Sequence, residues 1–228
     1  QKVLRASQKQ AQKVSGLSAS LTFPLHPASF LRPDHAPSLL MTAEQKVGML
    51  HAFGMDHVIL RSFDDELAKV QAEDFISFIK ERISTVEGFT VGRNFRFGKD
   101  RNGDASFLRQ CGDKMGVGVQ IVDSKTLEGF PVSSSRIRKD LSVGEIEKVN
   151  QMLGRCYRIF GVVCSGKKMG RTIGFPTMNV SWNPEAAPAY GVYAGRVKHL
   201  NNSVQLPAVA NYGMRPTLEN DVQIPILE

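Results

Sequence analysis

Along residues 1–153 the apolar positions switch repeatedly between helical and strand spacing. Residues 1–15 read as a helix, with Leu4, Ala11 and Val14 set against a polar face. Residues 19–23 form a short apolar run leading to Pro24 and are expected to be a buried strand. Thr42 and Gln45 have the spacing of a capping box ahead of Val47, Met49 and Leu50, with Gly54 as the stop. Residues 57–60 read as a second strand. Phe75, Ile76, Ile79 and Ile83 recur at helical spacing over residues 72–84, and a strand around Phe89-Thr90-Val91 comes next. Asp104 is placed to cap a helix through Met115, and residues 117–122 alternate as a further strand. Ser142 with Glu145 is expected to open a last helix ending near Leu153-Gly154. Strands separated by helices argue for a parallel sheet, so residues 1–153 are expected to form an α/β domain of Rossmann-like kind.

After Gly154 the pattern changes. Residues 159–164, 191–197 and 206–212 are rich in β-formers, turn residues separate them, and no amphipathic helix is readable. That texture predicts a small antiparallel β-barrel over residues 154–228, with the domain boundary at 153–155.

Charge and composition narrow the partners. Hydrophobic content of 42% and charged content of 22% are those of a soluble globular protein. No apolar run approaches the roughly 18 residues of a membrane helix, and no signal peptide is visible. Cys111, Cys156 and Cys164 are widely spaced, without a Cys-x-x-Cys or Cys/His arrangement, which predicts reduced thiols, a cytoplasmic location and no structural zinc. The net charge of +7 raises nucleic acid as a partner, but Lys2, Arg5, Lys9 and Lys13 supply four of those charges along one helical stripe. A solvated helix face, and substrates that are polyanions, account for the surplus; neither nucleic acid nor membrane is expected as a partner. His26 lies between Leu25 and Pro27, where a structural hydrogen-bonding role outranks acid–base work.

Two segments carry chemistry. In GRTIGFPTMNV (170–180), Pro176 stiffens the turn before Thr177 and Asn179. These two residues sit two apart, so an extended backbone shows a hydroxyl and an amide oxygen on one face, a hard-oxygen set suited to Mg²⁺ already holding ATP phosphates. Upstream, Gly166 and Gly170 bracket Lys167 and Lys168 in a loop whose backbone N–H groups can approach phosphate. Taken alone, the Pro, Gly and Asn dipeptides read better as an ordinary turn; the eleven-residue string as a whole does not. In VSSSRIR (132–138), small hydroxyl residues opening a helix combine free N–H groups with the positive end of the helix dipole, and Arg138 adds a fork of donors. By spacing alone, an ordinary serine cap is the better reading, and only the company of the other motifs reverses it.

The full strings resemble two enzyme families. The PTMN segment resembles the PTxN signature of riboflavin kinase, YGVYA (190–194) resembles its GVYA strand, and PAVANYGMRPT (207–217) resembles its PAVxNxGxRPT segment. That resemblance implies a nucleotide site at Gly166, Gly170, Arg171, Thr177 and Asn179, with Thr177 and Asn179 on the metal. It implies a catalytic base at Glu228, with Glu219 the competitor for that role. TFPLHP (22–27), VGRNFRFG (91–98) and VSSSRIR resemble motifs of the FMN adenylyltransferase commonly fused ahead of this kinase. They imply nucleotide contacts at Ser134, Ser135 and Arg138 and flavin contact at Asn94. Leu25 and Ser135 depart from the usual Pro and Thr. The implied activity is phosphorylation of riboflavin to FMN with Mg²⁺-ATP, then adenylylation of FMN to FAD. Two rivals stay open: a related nucleotidyltransferase with another substrate, and a non-enzymatic module binding nucleotide or flavin. The adenylyltransferase family's GxFDGxHxGH motif has no match here, and the opening QKVLRA resembles the stretch directly after that motif. The chain is therefore expected to be an internal fragment, inactive by itself.

Overall fold

The computed structural model describes residues 1–164, 177–182, 184–199, 204–214 and 225–228. Its contacts gather into two units, Gln1–Pro131 and Val132–Glu228.

The first unit runs α1 (Lys2–Lys13), β1 (Ala19–Thr22), α2 (Pro27–Leu31), α3 (Ala43–Ala52), β2 (His57–Leu60), α4 (Asp65–Lys69), α5 (Phe75–Arg82) and β3 (Gly88–Gly92). It continues with β4 (Arg96–Phe97), β5 (Gly103–Asp104), α6 (Ala105–Met115), β6 (Gly118–Val122), β7 (Thr126–Leu127) and β8 (Phe130–Pro131). Two parallel ladders organise it: β1 with β2, registering Ala19 with His57, and β3 with β6, registering Gly88 with Gly118. Helices lie in both crossovers, as parallel pairing requires.

Local rules place most boundaries. The Thr42 hydroxyl accepts from Gln45 N at 3.3 Å while Gln45 Oε1 accepts from Thr42 N at 3.1 Å, completing the capping box of α3. After α3 ends, Gly54 turns the chain with a φ of +83°. The Asp104 carboxylate accepts from Phe107 N at 2.8 Å and starts α6. His26 caps α2, its Nδ1 accepting from Ala28 N at 3.0 Å.

The core of this unit joins α5, α6 and β3 through Ile76, Leu108, Val91, Ala105 and Phe97. Phe75 sits among Phe89, Phe95 and Phe97, with ring centroids 6.3, 6.5 and 4.8 Å away. Gly112 is needed where α6 meets the strand after it, since a Cβ there would stand 2.6 Å from Val117 O. α1 lies over β3 and β6, where Gln10 donates to Gly118 O at 3.1 Å and accepts from the Thr90 hydroxyl at 2.5 Å. Lys2, Arg5, Lys9 and Lys13 are all on the exposed side of that helix.

Three expectations change. β1 is half-exposed rather than buried, with alternating exposure and Leu21 at 42%; a short apolar run does not reveal whether one or both sheet faces are covered. The helix expected over 72–84 is shorter, as α5 starts at Phe75 and ends at Arg82. Ser142 does not open the last helix. It closes α7 (Ser134–Ser142), its hydroxyl donating to Lys139 O at 2.8 Å. α8 (Ile146–Leu153) starts after Glu145, whose carboxylate makes no cap and pairs with Lys148 at 3.3 Å. A serine hydroxyl has two local options, the cap and the i−3 carbonyl, and here the carbonyl wins.

The second unit begins with α7 and α8. It continues through β9 (Val162–Cys164), β10 (Asn179–Ser181), β11 (Gly191–Lys198), β12 (Gln205–Met214) and β13 (Pro225–Leu227). The strands form one antiparallel sheet in the order β11-β12-β13-β10-β9. Leu141 and Val149 are fully buried between the helices and their surroundings. Leu141 O accepts from Ala189 N at 3.1 Å, and Asn150 Oδ1 accepts from Tyr157 N at 2.6 Å, tying the helices to the β-rich segment.

The packing and hydrogen bonding of the first unit make stability testable at two positions. Leu108→Ala removes a fully buried side chain and should cost about 2–5 kcal/mol in urea unfolding, more than any surface Leu→Ala. The Asp56 carboxylate accepts from Ser18 N at 2.8 Å and from the Ser18 hydroxyl at 2.7 Å, and these bonds hold it below its ordinary value of 3.8. A depressed folded pKa stabilises the fold fully above the unfolded value and less as pH falls through the folded one. The urea midpoint should therefore drop below about pH 4, and Asp56→Asn should remove that part of the drop; an unchanged acid profile in the variant would refute the assignment.

Candidate functional site

Antiparallel register builds the first cluster. β9 sets Cys164 opposite Asn179, and β10 sets Val180 opposite Leu227. One step along, that second register brings Asn179 beside Glu228. Asn211 and Glu228 exchange backbone hydrogen bonds of 2.8 and 2.9 Å, and Asn211 in turn faces Val192 on β11. Asn211, Glu228, Asn179 and Cys164 thus form a lateral row over four strands, and directly opposed residues show their side chains on the same face. On the alternate face the next row holds Tyr212, buried between Trp182 and Tyr190 at centroid distances of 5.2 and 5.3 Å. Burial raises the Tyr212 phenol above its ordinary pKa, with Tyr190 and Tyr193 adding to it.

Within the row, Thr177 and Glu228 are in contact: the Thr177 hydroxyl donates to Glu228 Oε1 at 2.8 Å. Asn179 is only 9% exposed, and its Oδ1 has no hydrogen-bond partner among the described residues. A buried amide oxygen left unpaired costs about 1–3 kcal/mol, so its persistence at this place points to a ligand. The oxygens gathered here, hydroxyl, amide and carboxylate, are hard donors suited to a divalent cation carrying phosphate. Among the described residues no three His, Cys, Asp or Glu side chains gather as a metal site. The donors therefore fit an ion that keeps most of its ligands from substrate and water.

The second cluster is the start of α7. The Ser133 hydroxyl caps the helix, accepting from Arg136 N at 3.2 Å. Ser134 and Ser135 occupy its exposed first turn. Arg138 lies four residues after Ser134, on the same helix face. Burial lowers the Arg138 pKa without discharging a guanidinium, and Ile137 beside it is buried.

Asn94 belongs to the first unit. It lies in the exposed turn after β3, at the carboxyl ends of the parallel β3–β6 pair, where open α/β sheets bind ligands. Beside it Arg93 Nε pairs with Asp123 at 2.5 Å, and this bond holds the Asp123 carboxyl below its ordinary value. Gly166, Gly170 and Arg171, and the competitor Glu219, lie outside the described residues. The structure therefore brings Thr177, Asn179 and Glu228 together, and separately Ser134, Ser135 and Arg138.

Two family profiles match the chain in succession. The FAD synthetase profile matches residues 1–136 and the riboflavin kinase profile matches residues 153–228. A Haemophilus influenzae bifunctional riboflavin kinase/FMN adenylyltransferase is 34% identical over 224 residues, covering 98% of this chain and 72% of that protein. The Escherichia coli K12 protein of the same name is 33% identical over 216 residues, covering 95% and 69%. The chain belongs to the bifunctional riboflavin kinase/FMN adenylyltransferase family.

A solved structure described as a macrolide-efflux protein from Streptococcus pneumoniae superposes with a TM-score of 0.85 at 26% identity, covering 99% of this chain and 72% of that one. The riboflavin kinase match takes in the whole Asn211–Cys164 row. The FAD synthetase match ends within α7, after Ser135 and before Arg138. Asn211 is a fixed position of the PAVANYGMRPT segment, but no role for it is readable there, and Cys164 reads as one of three reduced thiols. The signal that places both is strand register, which emerges only once the ladders are assembled.

Proposed function

We propose that the intact protein carries the two activities of its relatives: ATP-dependent phosphorylation of riboflavin to FMN, and adenylylation of FMN to FAD. The observation that carries the kinase half is the buried Oδ1 of Asn179, without a partner among the described residues, next to the Thr177–Glu228 hydrogen bond. Thr177 and Asn179 would hold Mg²⁺, which neutralises charge on the ATP phosphates when bound. The Thr177 hydroxyl orients the Glu228 carboxylate by holding one of its oxygens. Glu228 accepts the proton of the ribityl 5′-hydroxyl as that oxygen attacks the γ-phosphorus and ADP leaves. Phosphoryl transfer needs positioning and charge neutralisation more than covalent help, which suits so few residues. Gly166, Gly170 and Arg171 would line the phosphates, and closure of the antiparallel sheet into a barrel would enclose the flavin.

For the second step, the α7 N-terminus with Ser134, Ser135 and Arg138 would hold ATP phosphates, and Asn94 would contact the flavin. The first unit's parallel pairs support a Rossmann-like architecture for this half, with residues 1–153 and 154–228 as the functional halves. Riboflavin, FMN and ATP are the small-molecule partners. Among the described residues no helix is long and apolar enough to cross a membrane.

Two substitutions test the assignment in the intact protein. Asn179→Ala should lower FMN formation by about 10²–10³-fold and leave FAD formation from supplied FMN near normal. Thr177→Ser should be milder than Thr177→Val. Equal loss of both activities in Asn179→Ala would mean a folding defect and defeat the reading. Arg138→Ala should do the reverse, slowing FAD formation roughly ten- to hundredfold through loss of a charge-assisted hydrogen bond while sparing FMN formation. An unchanged rate of FAD synthesis would remove Arg138 from the site.

A further inference from the structure

The row that holds Asn179 and Glu228 ends at a thiol. Cys164 is the cross-strand partner of Asn179, so the two side chains leave the same face of the β9–β10 ladder. Its Sγ donates to Asn179 O at 3.6 Å. Cys164 is exposed, whereas Cys111 is buried in the core of the first unit. The neighbouring Asn179 is buried and its Oδ1 has no partner among the described residues, an independent sign that a ligand docks against this face. An exposed soft nucleophile therefore stands one strand away from a hard-oxygen site for phosphate and metal.

We propose that Cys164 is a covalent modification site at the edge of the kinase centre, taking soft electrophiles and small disulfides, and that an adduct there shuts off phosphoryl transfer to riboflavin while adenylyl transfer continues. This rests on reading Thr177 and Asn179 as the Mg²⁺-ATP site. The thiolate is the reacting form. With a maleimide, the sulfur bonds to one alkene carbon, the C=C π bond opens, and the proton lost by the thiol is returned to the other carbon. With a small disulfide, a new S–S bond to Cys164 forms as the reagent's own S–S bond breaks and one thiolate leaves. Either adduct projects from the face that Asn179 shares and occupies space the phosphates need. A displacement of about 1 Å in such a site suffices for roughly a hundredfold loss of rate.

The thiol itself is not required for transfer. Cys164→Ser keeps a donor for the Asn179 carbonyl and loses the nucleophile, so it should retain FMN formation.

The experiment uses the intact protein carrying Cys156→Ser, which removes the other exposed thiol, treated with N-ethylmaleimide. Peptide mass spectrometry locates the adduct, and chromatography tracks FMN made from riboflavin and FAD made from supplied FMN. At full labelling of Cys164, FMN formation should fall about a hundredfold and FAD formation should hold. Mg²⁺-ATP should slow labelling as its occupancy rises, and adding Cys164→Ser should make the kinase insensitive to the reagent. Full labelling with FMN formation intact would overturn the proposal, as would equal loss of both activities or a labelling rate indifferent to Mg²⁺-ATP. Asn179→Ala, assayed alongside, separates the two levels. If it keeps FMN formation, the underlying site reading falls; if it loses FMN formation while the labelled protein does not, only the Cys164 proposal falls.

Discussion

The paired backbone hydrogen bonds between Asn211 and Glu228, at 2.8 and 2.9 Å, hold the middle of the second unit's sheet in register, and the meeting of Asn179, Thr177 and Glu228 depends on that register. β13 is short, and it lies between β12 and β10. A slip of one residue on either side would turn Glu228 to the opposite face and bring Leu227 into the row. The apolar row behind, with Tyr212 and Leu227 both buried, resists such a slip because it would expose them. Burial on one face thus fixes the placement of polar groups on the other.

That arrangement fixes the Oδ1 of Asn179, which has no hydrogen-bond partner among the described residues. An orphaned acceptor at a flexible position would rotate to water. Here Asn179 is held in β10 between two neighbouring strands, so the oxygen stays where it is. The same rigidity orients Glu228 through Thr177, which is exposed and precedes the strand. The candidate site on α7 rests on another principle. It needs only a helix start, a cap and a cation one turn on, all within seven consecutive residues. One centre depends on long-range pairing and the other on local geometry.

The difference decides what could be read from the amino-acid sequence. Thr42 with Gln45, Gly54 and Asp104 act through neighbours three or four residues away, and the helix boundaries they mark agree with the structure. The strands at 57–60 and around 89–91 were legible because β-branched and aromatic residues cluster there. Ser142 misled because its spacing to Glu145 satisfied a cap pattern while its hydroxyl had a closer carbonyl. The half-exposure of β1 was hidden because burial depends on what packs over a strand. Thr177 and Asn179 stood out by residue type, but the meeting of Thr177 with Glu228 spans 51 positions. Asn211 and Cys164 joined them only through three successive registers, which no local pattern encodes.

The basic stripe on α1 shows the same lesson from the opposite side. Four positive charges in the first turns of a chain with net charge +7 suggest a polyanion-binding surface when counted. In the structure the helix spends its other face on β3 and β6, through Gln10 to Thr90 and to Gly118. Its cations are therefore the water-facing side of an amphipathic packing element, a role that needs no ligand. The amide oxygen of Asn179 carries no formal charge and adds nothing to any composition count, yet it is buried and has no partner among the described residues. A buried polar atom with no partner among the described residues is a sharper pointer to a ligand than a count of charges.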